Sequence, residues 1–356
     1  MRPVELGPNQ PRQFYRGGAA ITKLRGVPSE DGFRPEDWVA STTARFGMSP
    51  QGLTRLPDGR YLRDVLEGDP EGWFGPSHVS YFGASPALLV KLLDAGQRLP
   101  VHVHPPRPFA LRHLGSRHGK TEAWVVLGAS GSSPAVYLGW SRDVEQAELA
   151  RWVADQEVEA MLANLNKLVV RPGDAVLVPA GTAHAIGEGV FSVELQEPTD
   201  FSVMLELEGF DMGEADGELG LGRELAISCV RGRAFSGADI DRLRSYRGAP
   251  AAGGPLVEDV LPGVANPYFR AQRARGGDGA RLEASFAVVV GVSGAGVLDG
   301  EGWEAKVKVG STLVVPWGAG PAQLRGQVEL LRCLPPLPSD AATDDPAPHP
   351  VAAPAG

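Results

Sequence analysis

Seven histidines punctuate this sequence, and four of them, His102, His104, His113 and His118, fall between positions 102 and 118. The run RLPVHVHPP reads as extended backbone that ends in a double proline. Side chains of a strand alternate between its faces, so His102 and His104 point the same way and form a two-toothed chelate. Glu122 follows on the next strand-like segment, GKTEAWVVLGA, and His184 stands just after a turn in PAGTAHAIG. Three imidazoles and one carboxylate suit a divalent first-row metal that keeps one or two positions for water or substrate. His78, His113 and His118 read as ordinary hydrogen-bonded histidines, and His349 lies in the tail.

These residues need rigid elements to hold them. Strand-like segments recur at AVYLGW (135–140), AVLVPAG (175–181), FSVELQ (191–196) and FSVMLEL (201–207), separated by turns such as RPGD at 171–174. PALLVKLLDA (86–95) is an apolar run whose periodicity fits a short buried helix or a strand equally well. Residues 142–164 are rich in Ala, Leu and Glu at helical spacing, and a second helical stretch falls within 223–247. GAPAAGGP at 248–255 marks a boundary, after which 256–335 returns to strands: FRAQRA, SFAVVVGVSG, GVLDG, STLVVPWG and VELLRCL. The expected organisation is an N-terminal metal-binding β-barrel domain over 1–247 with two helical segments, a C-terminal barrel over 256–335, and a Pro/Ala-rich disordered tail over 336–356. The second block has no histidine before the tail, so it is expected to hold no metal.

Bulk properties narrow the function. With 43% hydrophobic and 22% charged residues the chain is ordinary globular protein, and 46 glycines and 31 prolines favour short strands and turns over long helices. A net charge of -9 argues against nucleic acid as a partner. No apolar run approaches the roughly 18 residues of a membrane helix, and MRPVELGPNQPRQ lacks a signal-peptide core. Two distant cysteines, Cys229 and Cys333, predict structural thiols in a reduced, cytoplasmic protein.

The order H-x-H, carboxylate, distant histidine after a PGD…PAG strand resembles the cupin metal motif. PALLVKLLDAGQRLPVHVHP, GKTEAWVVL and RPGDAVLVPAGTAHAIGEGVFSVELQEPTD resemble, in order and spacing, the corresponding stretches of class I mannose-6-phosphate isomerases. EDWVAS and FYRGG are similar to two further motifs of that family nearer the start. The resemblance implies a mainly β double cupin, two jelly-roll barrels with a helical segment, and a metal on His102, His104, Glu122 and His184. It implies one divalent ion, zinc by family habit, although the donor set also accepts manganese, iron, cobalt or nickel. It implies aldose–ketose isomerisation through an enediol-like intermediate, with Lys120 and Glu194 in catalytic and substrate-binding positions and a small sugar or sugar phosphate as partner.

Three departures bear on the substrate. His102 replaces a glutamine, Pro100 replaces a serine, and Met204 stands where the family carries an arginine. Methionine cannot bind phosphate as arginine does; Arg107 or Arg112, after the VHP turn, could supply a substitute charge, and Arg107 is taken as the substrate-binding candidate. The readings left open are an isomerase of a phosphorylated or an unphosphorylated sugar, a non-catalytic sugar-binding cupin, and an iron or manganese oxygenase.

Overall fold

The computed structural model describes residues 1–28, 31–131, 133–213, 217–246 and 256–341, so the 248–255 boundary and most of the expected tail lie outside the described residues. Among the described residues, three antiparallel sheets hold the chain together. In the first, the order is β12 (Arg244–Tyr246), β8 (Asp174–Val178), β5 (Glu122–Ala129), β10 (Val190–Gln196), β3 (Leu89–Asp94) and β2 (Glu36–Val39). In the second it is β11 (Val203–Met204), β4 (His102–Val103), β9 (His184–Ile186), β6 (Ala135–Trp140) and β7 (Leu165–Val169). The third runs β1 (Val4–Glu5), β17 (Thr312–Val315), β15 (Ala287–Gly300), β18 (Ala322–Leu334), β14 (Arg270–Leu282) and β13 (Val257–Asp259), with β16 (Trp303–Lys308) also on β15. The protein is mainly β and has the double-cupin fold.

The ambiguous apolar run PALLVKLLDA is a strand over Leu89–Asp94, buried along its length between β10 and β2. Strands with neighbours on both edges and cover on both faces read as continuous apolar runs, which is why periodicity could not decide. FSVMLEL pairs only at Val203–Met204, because the N–H groups of Leu205 and Glu206 both turn to the Val101 carbonyl (2.9 and 3.0 Å) and end the ladder. SFAVVVGVSG and GVLDG, expected as separate strands, are one strand, β15. A register shift at Gly291/Ser293 and a positive φ of 67° at Gly294 bend it without breaking it, a conformation glycine adopts freely.

The Ala/Leu/Glu-rich stretch forms helices Gln146–Ala154 and Val158–Ala163. Leu149, Trp152, Val153 and Met161 bury their apolar faces against Val101 and, on the second sheet, Val103 and Trp140. The first sheet shares its core with the third, through Val125 and Val193 on one side and Phe269, Phe286 and Val290 on the other. The third sheet has its own core around Leu298, Val307 and Leu324. No described helix is long and apolar enough to cross a membrane.

Candidate metal centre and cavity

Strand pairing brings the histidines together. His102 lies opposite His184 in the β4–β9 ladder, and His104 follows two residues on, on the same face. Their ring centroids are 4.1 to 4.9 Å apart, and one donor nitrogen from each lies within 4.8 Å of the others. All three rings are buried. Each directs Nδ1 at a backbone carbonyl 2.8 Å away: Pro100 for His102, Phe201 for His104 and Thr182 for His184. A carbonyl can only accept, so each Nδ1 carries the hydrogen and Nε2 is the ring nitrogen left to act as an acceptor, a role that in His104 already serves Lys120 Nζ at 2.8 Å. Orientation of this kind is what metal-binding histidines require.

Glu122, the first residue of β5, places its carboxylate against the same point, with Oε2 2.9 Å from His104 Nε2 and Oε1 3.2 Å from His184 Nε2. Bare imidazole nitrogens and carboxylate oxygens are all acceptors, so a cation among them satisfies every one. The donor set therefore fits a divalent metal. Protonation states agree with this. Burial, reinforced by the neighbouring rings, pushes the His102 imidazolium well below its usual range. Burial and Lys120 lower His104 to about 3. Burial works against an ionised Glu122, but the Lys120 ammonium 3.0 Å away outweighs it and holds the carboxylate charged.

The first sheet supplies a row of polar side chains beside this cluster. Register sets Glu194 of β10 between Trp124 of β5 and Lys91 of β3, and Trp38 of β2 beyond Lys91. Lys120 Nζ sits 3.0 Å from Glu122 Oε2, 2.8 Å from His104 Nε2 and 3.9 Å from Glu194 Oε1. Burial and the Glu122 charge raise Glu194 to about 8, so near neutrality it holds a proton it can give up. Lys91 lies 3.4 Å from Glu36, which also accepts from Gln13 Nε2 (3.0 Å), Trp38 Nε1 (2.6 Å) and the Tyr15 hydroxyl.

A cavity of about 570 Å³ opens onto His102, Lys120, Glu122 and Glu194, and also onto Lys91 and Glu36. The sequence reading missed Lys91 and Glu36. The signals were a lone lysine inside PALLVKLLDA and an acidic pair opening EDWVAS. Met204 and Pro100 line the cavity too, Met204 lying opposite His102 in the β11–β4 ladder.

Arg107 is not brought to this cavity. Its Nε is 2.6 Å from Glu197 Oε1, and its guanidinium stacks over Tyr268. The other oxygen of Glu197 accepts from Thr121 N at 2.8 Å, so this carboxylate ties the segment after His104 to the backbone between Lys120 and Glu122. Glu206 does similar work ahead of His102. It takes both Nη atoms of Arg98 (2.6 and 2.5 Å) and the Val101 N–H (2.8 Å).

No family model matches the chain. It is 34% identical over 189 residues to the mannose-6-phosphate isomerase of Streptococcus mutans, covering 52% of this chain and 54% of that protein. It is 27% identical over 292 residues to mannose-6-phosphate isomerase ManA of Bacillus subtilis, covering 80% and 86%. Its fold superposes on the crystal structure of the mannose 6-phosphate isomerase from Bacillus subtilis with a TM-score of 0.72 at 21% identity, over 94% of this chain and 99% of that one.

Proposed function

We propose that this chain, a member of the class I mannose-6-phosphate isomerase family in sequence and in its double-cupin fold, is a metal-dependent aldose–ketose isomerase acting on mannose 6-phosphate or its unphosphorylated counterpart. The observation that carries this reading is the convergence of His102, His104, His184 and Glu122 beside Lys120 and Glu194 on one cavity. Three imidazoles whose Nδ1 hydrogens are all engaged, with an ionised carboxylate, form a ligand set for one divalent ion. We take it to be zinc, with manganese, iron, cobalt and nickel as the alternatives the same donors accept. Such an ion, when bound, polarises the carbonyl and hydroxyl oxygens of a sugar.

The chain's own residues do the rest. Isomerisation moves a proton between adjacent carbons while negative charge builds on the oxygens they carry. Lys120, buried and cationic beside Glu122, is placed to stabilise that charge. Glu194, held near the protonated state by burial, is placed to return and remove protons. Glu36, fixed by three donors, holds Lys91 against the Trp38 ring and so sets a second cation on the cavity wall. Burial of this row keeps water away from an enediol-like intermediate.

The test is a paired assay on protein of known metal content, with mannose 6-phosphate and mannose as substrates, with and without added divalent metal. Metal-dependent conversion of either sugar supports the reading. Sugar that binds and is recovered unchanged would make this a sugar-binding cupin, a reading favoured by Met204 where a phosphate-binding arginine is expected. Oxygen uptake by the iron form would make it an oxygenase.

A further inference from the structure

The charges on the cavity wall are unevenly occupied. Lys91 is 3.4 Å from Glu36, and Lys120 is 3.0 Å from Glu122, so both inner cations already have carboxylate partners. Arg45 also lines the cavity and, among the described residues, has no carboxylate in contact. Its Nη1 donates to the Arg12 carbonyl at 2.8 Å and approaches Gln51 Oε1 at 3.5 Å, and both partners are neutral. That leaves Nε and Nη2 as spare donors on one edge of a planar, permanently charged group. An edge of this kind matches two oxygens of a phosphate.

The backbone beneath Arg45 is fixed. Arg45 N donates to the Gln51 carbonyl (2.8 Å) and Met48 N to the Arg45 carbonyl (3.0 Å). Phe46 N donates to Asp200 Oδ2 (3.1 Å), and the Phe46 ring meets Phe201 edge-on at 5.6 Å. Phe46 and Met48 are exposed while the histidines are buried, so this loop forms the solvent side of the cavity and Arg45 stands between solvent and the buried row.

We infer that Arg45 binds the anionic end of the substrate, so that the cavity takes a sugar phosphate and Arg45, not Arg107, sets that preference. This rests on the isomerase reading and refines it. The exposed carboxylate of Asp211 shares the cavity wall and opposes an anion there. A phosphate monoester therefore depends on Arg45 all the more, while a neutral sugar has little to gain from it.

The experiment uses the full chain reconstituted with metal, as wild type, Arg45→Met and Arg45→Lys. Steady-state constants are measured with mannose 6-phosphate and with mannose, and binding of mannose 6-phosphate is measured by calorimetry. In Arg45→Met, KM and Kd for the phosphate ester should rise about tenfold or more, as expected for loss of a two-point charged contact. The preference for ester over free sugar should fall by a similar factor, and Arg45→Lys should recover part of it. If wild type isomerises the ester and Arg45→Met does so with unchanged KM, the assignment of Arg45 is overturned and the isomerase reading stands. If wild type isomerises neither sugar, the isomerase reading fails, and calorimetry still decides on Arg45: weakened ester binding in Arg45→Met supports it, equal binding overturns it. Turnover of free mannose with no affinity for the ester would also overturn it.

Discussion

Glu197 bridges Arg107 and the Thr121 N–H from a position almost without solvent exposure, 1% for its side chain against 11% for Arg107. Replacing it with alanine takes a carboxylate from a mostly buried guanidinium and from a buried amide at once. Breaking a buried ion pair from one side costs about 3–5 kcal/mol. Arg107 keeps its stacking on Tyr268 and reaches some solvent, so the lower end, about 3 kcal/mol, applies here. For lobes of this size that is a fall in Tm of roughly 6–12 °C. Arg107→Ala leaves a buried carboxylate with the Thr121 amide and, 3.9 Å away, His118 Nδ1, and should cost about 2–3 kcal/mol. The double variant should be less unstable than the sum by about 2 kcal/mol, because neither charge is then left behind. Urea unfolding of the four proteins measures that coupling. Because Thr121 sits between Lys120 and Glu122, Glu197→Ala should also weaken metal affinity by about 10–100-fold, the usual effect of losing an orienting partner. A coupling below about 0.5 kcal/mol, with metal affinity unchanged, would refute the argument that this carboxylate clamps the ligand-bearing segments.

Two further outcomes are expected besides those of the sugar assays and the Arg45 variants. His184→Ala should be recovered without bound metal while keeping its β-sheet circular-dichroism spectrum. Stoichiometric metal in that variant, by elemental analysis, would remove His184 from the ligand set. His78 is buried between Phe74 and Phe82 with Nε2 2.7 Å from the Ser85 carbonyl, and burial lowers it from 6.5 to about 4. The folded state thus binds its proton less readily than the unfolded chain. This contribution is whole above pH 6.5 and is lost as pH falls from 6.5 towards 4, amounting to about 3 kcal/mol. Between pH 7.5 and 4.5 the wild type should lose about 2 kcal/mol more stability than His78→Gln in urea titrations, and parallel losses would contradict the assignment.

The residues that converge at the candidate metal centre were legible because their relation is local or rhythmic. Two histidines one residue apart on extended backbone must share a face, and His184 follows a turn signal. What stayed hidden depended on pairing across long stretches of chain. Lys91 reads as a stray charge in an apolar run until β3 is seen between β2 and β10, where Glu36, Trp38 and Glu194 surround it. Arg107 read as a spare cation because its partner, Glu197, lies 90 residues away on the far side of a helix pair. Arg45 gave no signal at all, since its role depends on which carboxylates it does not meet. The fold class followed from glycine- and proline-rich turns between short apolar segments. Element ends did not, because Leu205 and Glu206 leave their ladder through a backbone bond that side-chain patterns do not encode.

The small strand Val4–Glu5 pairs with Val314 and Leu313, and Arg25 fastens the join by donating to the carbonyls of Leu6 and Gly310. A ribosome makes one side of this seam early and the other more than 300 residues later. At about 5–20 residues per second the first strand waits roughly 15–60 s for its partner. Through that interval the buried pair of Arg25 and Asp37, 3.2 Å apart, has a wall missing. Strand β17 therefore works as a latch between Val4–Glu5 and the third sheet, and a nascent chain stopped short of β17 should be open to proteases around Val4–Glu5 as well as at its growing end.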